Sequence, residues 1–373
     1  MNYSHNSAFS TKLFGRFPEI DYLCTEEMLL PDISGNGVIK TTMKMKMKKK
    51  LPVIISTMLS LAAGMQAQGP HNSGTYYQQA DGQQGAALKS ALCGIIRNHT
   101  VRSYGDLWTD FQKTDRRPDG HVWDMYSGVT NYTFGADQNR GTNGKEGTNY
   151  NREHSLPNSW WGGNKKADMY TDLFHMYPTD SFVNGRRGNN PFGETNGESY
   201  TSEGDFSKLG KSITPGYSGT VFEPNDEYKG DFARTYFYMA TCYEAEITTW
   251  TSDMLNKTKY PSFAQWAIDM LLRWAEQDPV SEKELQRNEA VNSIQHNRNP
   301  FIDYPGLERL IWGDRQALPF SYDGYEASLA IDDAATVPTA TGAPTYNLGG
   351  QRIDTYQLKP GLYIRGGRKY IVR

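Results

Sequence analysis

The sequence of 373 residues is poor in cysteine, with three, and has no apolar run long enough to cross a bilayer as a helix. A polytopic membrane protein is thereby excluded, and no stable membrane insertion is expected. It also lacks an excess of basic charge: 39 Lys+Arg stand against 42 Asp+Glu, a net charge of -3 at pH 7. Setting the first 67 residues aside makes the remainder more acidic still. A protein that coats nucleic acid by bulk charge is basic, so a polyanion here must be met by a local patch or a metal ion. Absent too are the His-Glu-x-x-His motif of a zinc protease helix, a P-loop, a Rossmann fingerprint and a cysteine in a nucleophile context. What the chain has in quantity is aromatic side chains, with 24 Tyr, 15 Phe and 8 Trp. That content argues for a folded chain over most of its length, and the length allows one large domain or two ordinary ones.

Residues 43–50 alternate Met and Lys and end in three lysines, residues 51–64 are apolar, and Met65-Gln66-Ala67-Gln68 follows. A basic segment, a short apolar segment and a small residue at a cut site describe a secretory signal peptide. Its internal position predicts a true start at Met43, Met45 or Met47, with residues 1–42 a mis-called extension and cleavage after Ala67. Residues 1–67 are therefore set apart from the fold. The mature protein is expected outside the cell, with the periplasm or the cell surface as alternatives. Of the cysteines, Cys93 and Cys242 remain, either as one disulfide or as two buried thiols.

Residues 68–326 read as the main domain. Within it, 86–99 carries Leu88, Ala91, Leu92, Ile95 and Ile96 at helical spacing, and 263–274 carries Phe263, Trp266, Ala267, Met270, Leu271 and Trp274. Residues 135–151, rich in Gly, Asn and Thr, read as a long loop. Residues 327–345, rich in Ala, Thr and Pro, read as a linker. Residues 346–373 alternate short β-type runs with turn signals at Gly349-Gly350, Pro360-Gly361 and Gly366-Gly367. This tail resembles the C-terminal sorting segments that some bacteria attach to exported proteins, which would make secretion machinery a partner.

The chemistry concentrates between 150 and 194. Asn151-Arg152-Glu153-His154 is followed by Asp172-Leu173-Phe174-His175 and by Val183-Asn184-Gly185-Arg186-Arg187-Gly188-Asn189. A carboxylate, an imidazole and an amide oxygen form a donor set suited to a hard divalent cation. Two arginines beside a glycine suit phosphate. Phosphodiester hydrolysis needs a base for water, a cation for the leaving oxygen and charge for the transition state. All three are present within one short stretch.

Together with Val122-Trp123-Asp124-Met125-Tyr126-Ser127, Tyr177-Pro178-Thr179-Asp180, Val221-Phe222-Glu223-Pro224 and Asn297-Arg298-Asn299-Pro300-Phe301-Ile302-Asp303, these motifs make the chain resemble the endonuclease I family of secreted bacterial nucleases. The likeness runs from about residue 108 to 312. It implies an α+β fold, mostly helical around a ββα-metal (His-Me finger) core, with the C-terminal β segment added. It implies a sequence-nonspecific endonuclease acting on DNA, RNA or both and leaving 5′-phosphates. By that resemblance His154 is the general base, and Glu153 and Asn184 are the protein ligands of one divalent cation, Mg²⁺ first, with Ca²⁺ or Mn²⁺ as alternatives. Arg187 is then a catalytic phosphate contact. Arg152, Arg186 and Arg234 are further candidates for nucleic-acid contacts, and His175 braces the site from behind. Many family members carry a cysteine pair in the loop before the Arg-Glu-His motif, and this chain has none there.

Neighbouring residues on a strand point to opposite faces, so Glu153 and His154 cannot both address one phosphate from an ideal strand. The strand is expected to end, bulge or twist at this pair, and Asn184 to lie on a helix starting near Pro178-Thr179-Asp180. The alternative function is a catalytically idle nucleic-acid-binding or adhesion module. An idle copy is free to lose Glu153, His154 or Asn184, and this chain keeps all three.

Overall fold

The structure, a computed structural model, describes residues 27–31, 38–42, 68–139, 144–326, 345–347, 352–353, 361–365 and 368–372. The chain divides into two units, Met1–Gln66 and Ala67–Arg373. In the first, β1 (Glu27–Pro31) pairs antiparallel with β2 (Val38–Thr42). The expected signal segment, its start and its cleavage site lie outside the described residues.

The second unit runs α1 (Gly85–Ile96), α2 (Leu107–Thr114), β3 (Tyr150–His154), β4 (Met176–Asp180), α3 (Ser181–Arg187), β5 (Tyr200–Thr201), β6 (Lys208–Lys211), β7 (Thr220–Glu223), α4 (Lys229–Cys242), α5 (Gln265–Gln277), α6 (Glu282–Gln295), α7 (Pro300–Asp303) and α8 (Leu307–Ile311). β8 (Thr345–Asn347), β9 (Arg352–Ile353), β10 (Gly361–Arg365) and β11 (Arg368–Val372) form an antiparallel sheet in the order β11-β10-β8-β9. The fold is α+β, mostly helical with small antiparallel sheets. Thr345, expected as the last linker residue, instead opens β8.

Every residue of α4 is buried, its charged side chains included: Arg234 pairs with Glu284 and Asp231 with Lys283, as buried charges require. Helices α1, α5 and α7 pack on it. α1 buries Leu88, Leu92 and Ile96 and stops at Ile96, three residues before the expected end. α5 starts two residues later than the periodicity predicts: Ser262 adopts a left-handed φ of 73° and Phe263 is buried ahead of the helix. α6 opens on a capping box, with the Ser281 hydroxyl on the Glu284 N–H and the Glu284 carboxylate on the Ser281 N–H. Cys93 and Cys242 are buried free thiols, which resolves the choice between disulfide and thiols left open by spacing.

Two polar clasps hold the β3–β4 hairpin against this helical body. Arg287 of α6 pairs with Asp115 at 2.9 Å and donates to the carbonyls of Leu173 and Met176 at the entry to β4. Asp172, in the segment joining β3 to β4, accepts the hydroxyls of Tyr238 and Tyr243, the Gln295 amide and the Phe174 N–H. Both clasps are buried, where a hydrogen bond left unmade is costly.

Candidate active site

β3 and β4 pair in regular antiparallel register, with Tyr150 opposite Asp180, Glu153 opposite Tyr177 and His154 opposite Met176. α3 follows β4 directly. Asp180 ends the strand and caps the helix, its Oδ1 accepting from the N–H groups of Phe182 and Val183 at 2.8 and 2.9 Å. The helix thus starts at Ser181, and Pro178 and Thr179 belong to β4. Gly188 closes it at φ 60° and ψ -130°, a conformation that side chains rarely adopt.

Strand alternation separates two faces. On one, Asn151 and Glu153 meet α3. The Asn184 amide donates to Asn151 Oδ1 at 2.8 Å, and the Arg187 guanidinium pairs with Glu153 Oε1. The match is one of faces: alternate residues of a strand share a face, and so do residues three apart on a helix, so one helix face serves one strand face. On the other face Tyr150, Arg152 and His154 meet aromatics. Trp108 stands edge-on to Tyr150, with ring centres 5.6 Å apart. The Arg152 guanidinium lies 3.5 Å from the Tyr104 ring centre and 4.3 Å from that of Trp108. His154 lies parallel to Tyr104 and packs against Tyr170, Trp161 and His175.

β3 ends at His154 with its register intact, so the expected irregularity takes the form of a strand end and not a bulge. The two side chains leave on opposite faces from that end.

Glu153 is buried, and burial raises its carboxyl while Arg187 and Tyr126 pull it back. Its Oε1 accepts the Tyr126 hydroxyl at 2.9 Å as well as Arg187. Oε2 takes no side-chain hydrogen bond among the described residues. Asn184 spends its Nδ2 on Asn151, which leaves Oδ1 as an acceptor. One carboxylate oxygen and one amide oxygen, each on a side chain held by its other atom, are hard-oxygen donors of the kind a Mg²⁺- or Ca²⁺-type cation takes.

His154 Nε2 lies 2.9 Å from the Tyr170 carbonyl. A carbonyl only accepts, so Nε2 carries the proton and Nδ1 is the basic nitrogen. Burial, helped by neighbouring His175 and Arg152, pushes the ring down to about 3, so the imidazole is neutral in ordinary buffers. His175 sits behind it, ring centres 5.5 Å apart, with Nε2 on the Met169 carbonyl. Burial pushes His175 down to about 4.

The structure revises the expected roles of the arginines. Arg187 is wholly buried and donates to Glu153, the Tyr126 hydroxyl and the carbonyls of His154 and Ser155. It holds the carboxylate and presents nothing to a phosphate. Arg234 lies in α4 in a buried two-point pair with Glu284 and reaches the Asp278 carbonyl, which makes it a structural clasp. Arg186 is exposed, on the side of α3 away from Asn184, over the rings of Phe182 and Tyr200. Arg152 stays beside His154, donating to the Tyr104 carbonyl.

Sequence reasoning did not single out Tyr126, Asn151, Tyr236 or the Tyr170 carbonyl. Tyr126 stood inside a recognised motif, which was the available signal. Tyr236, whose hydroxyl reaches the Ser155 carbonyl at 2.8 Å from α4, had none. One further group of metal-type side chains exists among the described residues: His99, Asp172 and Cys242. Its carboxylate is already filled by the four donors of the Asp172 clasp, and burial raises the Cys242 thiol well above its ordinary value, which favours the protonated form. That group works as packing.

The endonuclease I family model matches residues 84–306. The chain is 38% identical over 242 residues to an extracellular ribonuclease of Bacillus amyloliquefaciens, covering 64% of this chain and 78% of the relative. An extracellular ribonuclease of Bacillus subtilis is 34% identical over 263 residues, covering 69% and 84%. A periplasmic deoxyribonuclease of Aeromonas hydrophila is 25% identical over 135 residues, covering 36% and 48%. The fold and these likenesses define a nuclease, and the chain belongs to the endonuclease I family. No helix among the described residues is long and apolar enough to cross a membrane.

Proposed function

We propose that the protein is an exported, metal-dependent endonuclease that hydrolyses RNA and DNA phosphodiesters to 5′-phosphate products. The observation that carries this reading is the end of β3. There a neutral imidazole with a fixed tautomer follows directly on a carboxylate whose side-chain partners all fall on one oxygen. A substrate phosphate approaching the strand end meets both faces of β3 at once. His154 Nδ1 takes a proton from water, the water oxygen attacks phosphorus, and the P–O3′ bond breaks. The 3′-oxygen takes a proton from solvent and leaves as a hydroxyl, the phosphate stays on the 5′ end, and His154 returns its proton to solvent. Glu153 and Asn184 would hold the cation, whose positive charge would stabilise the departing oxygen. Arg187 and Tyr126 keep Glu153 in place throughout. Such contacts address the backbone and carry no base code, which supports broad sequence tolerance. The two relatives covering most of the chain are named ribonucleases, which favours RNA as the better substrate.

Parallel digests of plasmid DNA and of RNA with Mg²⁺, with EDTA and with His154→Ala test the reading. Cutting should need the cation and fall on the order of 10²–10⁴-fold in the variant. Undiminished cutting by His154→Ala would sink the assignment of the base, and undiminished cutting in EDTA that of the metal.

A further inference from the structure

Asp124 touches neither His154 nor the proposed ligands, yet it joins the two arms of the site. It is buried in the loop ahead of β3. Its Oδ1 accepts the Tyr126 N–H at 2.8 Å. Its Oδ2 accepts the Asp180 N–H at 2.9 Å and the Thr130 hydroxyl at 3.3 Å. The first amide belongs to the residue whose hydroxyl binds Glu153. The second belongs to the N-cap of α3, the helix that carries Asn184 and Arg187. Arg187 in turn donates to both the Tyr126 hydroxyl and Glu153. A closed circuit results, running Asp124, Tyr126, Glu153, Arg187, along α3 to Asp180, and back to Asp124.

We infer that Asp124 is a positioning residue that fixes the Glu153 carboxylate relative to Asn184 and thereby sets the affinity for a divalent cation. The inference rests on Glu153 and Asn184 being the ligands. The residue acts through backbone amides, which move with their whole segments. Loss of either bond frees the Tyr126 loop or the α3 N-cap to shift against the other. Capping does not explain the carboxylate, because Asp180 already caps α3 with its own side chain. A neutral side chain would also be less costly to bury: desolvation, with Asp180 nearby, pushes Asp124 up to about 8 against the amides that favour its charged form. Partners that orient metal ligands typically contribute on the order of 10–100-fold in metal affinity.

The test uses the full chain carrying Asp124→Asn. The amide keeps one acceptor oxygen and turns an N–H₂ toward a donor, which breaks one side of the circuit. Two quantities are measured: Mn²⁺ binding by calorimetry without nucleic acid, and the Mg²⁺ dependence of RNA cleavage. The expected result is a cation dissociation constant raised at least about tenfold, with turnover at saturating Mg²⁺ within about threefold of wild type. A lowered melting temperature with unchanged cation affinity overturns the inference and assigns Asp124 to stability alone. Glu153→Gln separates the two readings. If it binds Mn²⁺ like wild type, the proposed ligand set fails. If it loses binding while Asp124→Asn does not, only the role of Asp124 fails. Should Asp124→Asn not fold, Tyr126→Phe cuts the same circuit one link further on, and unchanged cation affinity there overturns the inference equally.

Discussion

Arg187 and Glu153 form a buried ion pair in which one carboxylate oxygen takes both the guanidinium and the Tyr126 hydroxyl. Burial alone penalises the Glu153 charge, so the guanidinium compensates a carboxylate that would otherwise be stranded. The same pair aims Glu153 by occupying Oε1 and leaving Oε2.

Removing one partner of such a pair leaves an uncompensated charge. Arg187→Ala should therefore destabilise the protein by about 3–5 kcal/mol. Arg186→Ala, its exposed neighbour, should change stability by less than about 0.5 kcal/mol. Urea unfolding of the two variants side by side checks this. Equal stabilities would contradict the buried placement of Arg187.

Arg234 supplies a second contrast. Its two-point pair with Glu284 is buried, and Glu284 also closes the capping box of α6. Arg234→Ala should cost about 3–5 kcal/mol while leaving the RNA KM of the folded fraction unchanged. A raised KM at unchanged stability would restore Arg234 as a substrate contact.

His175 ties stability to pH. Burial pushes its folded-state value down to about 4, against roughly 6.5 in an unfolded chain. Between those values the unfolded state binds a proton that the native state refuses. The contribution is thus fully present above pH 6.5 and is lost as pH falls through about 4, and its size is on the order of 3 kcal/mol. His175→Gln removes it, so the wild-type curve of stability against pH should be steeper than the variant's between pH 6.5 and 4. Parallel curves over that range would show that His175 is not held neutral. Chemical denaturation at half-unit pH intervals provides the measurement.

Cation binding should itself stabilise the fold, because an ion that binds only the native state shifts the equilibrium by mass action. At a concentration one hundred times the dissociation constant the gain is about 2.7 kcal/mol. Mg²⁺ should raise the melting temperature of the wild type and leave those of Glu153→Gln and Asn184→Ala unchanged. An equal rise in all three would place the cation elsewhere.

Much of the site was legible along the chain because its chemistry is carried by short contiguous motifs. Glu153-His154 and Asn184 through Arg187 name a carboxylate, an imidazole, an amide and two guanidinium groups before any fold is known. The entry of α3 was nearly legible, since Asp180 is a strong cap, but Pro178 and Thr179 could serve a strand or a helix start equally well. Register with Arg152 and Asn151 decided for the strand. Both buried arginines were misjudged for one reason. Composition assigns an arginine to a phosphate, and only packing shows that its partner is a carboxylate from another segment.

Sequence by itself determined the residue types, the family and the amphipathic helices, because local spacing carries those signals. Tertiary structure alone decided which atom of each side chain is already taken. Tyr126 and Arg187 occupy one oxygen of Glu153, the Tyr170 carbonyl claims one nitrogen of His154, and Asn151 holds the nitrogen of Asn184. Those partners lie 16 to 34 positions away. Hydrogen bonds of that separation exist only once burial has made leaving them unpaired more costly than ordering the chain that joins them.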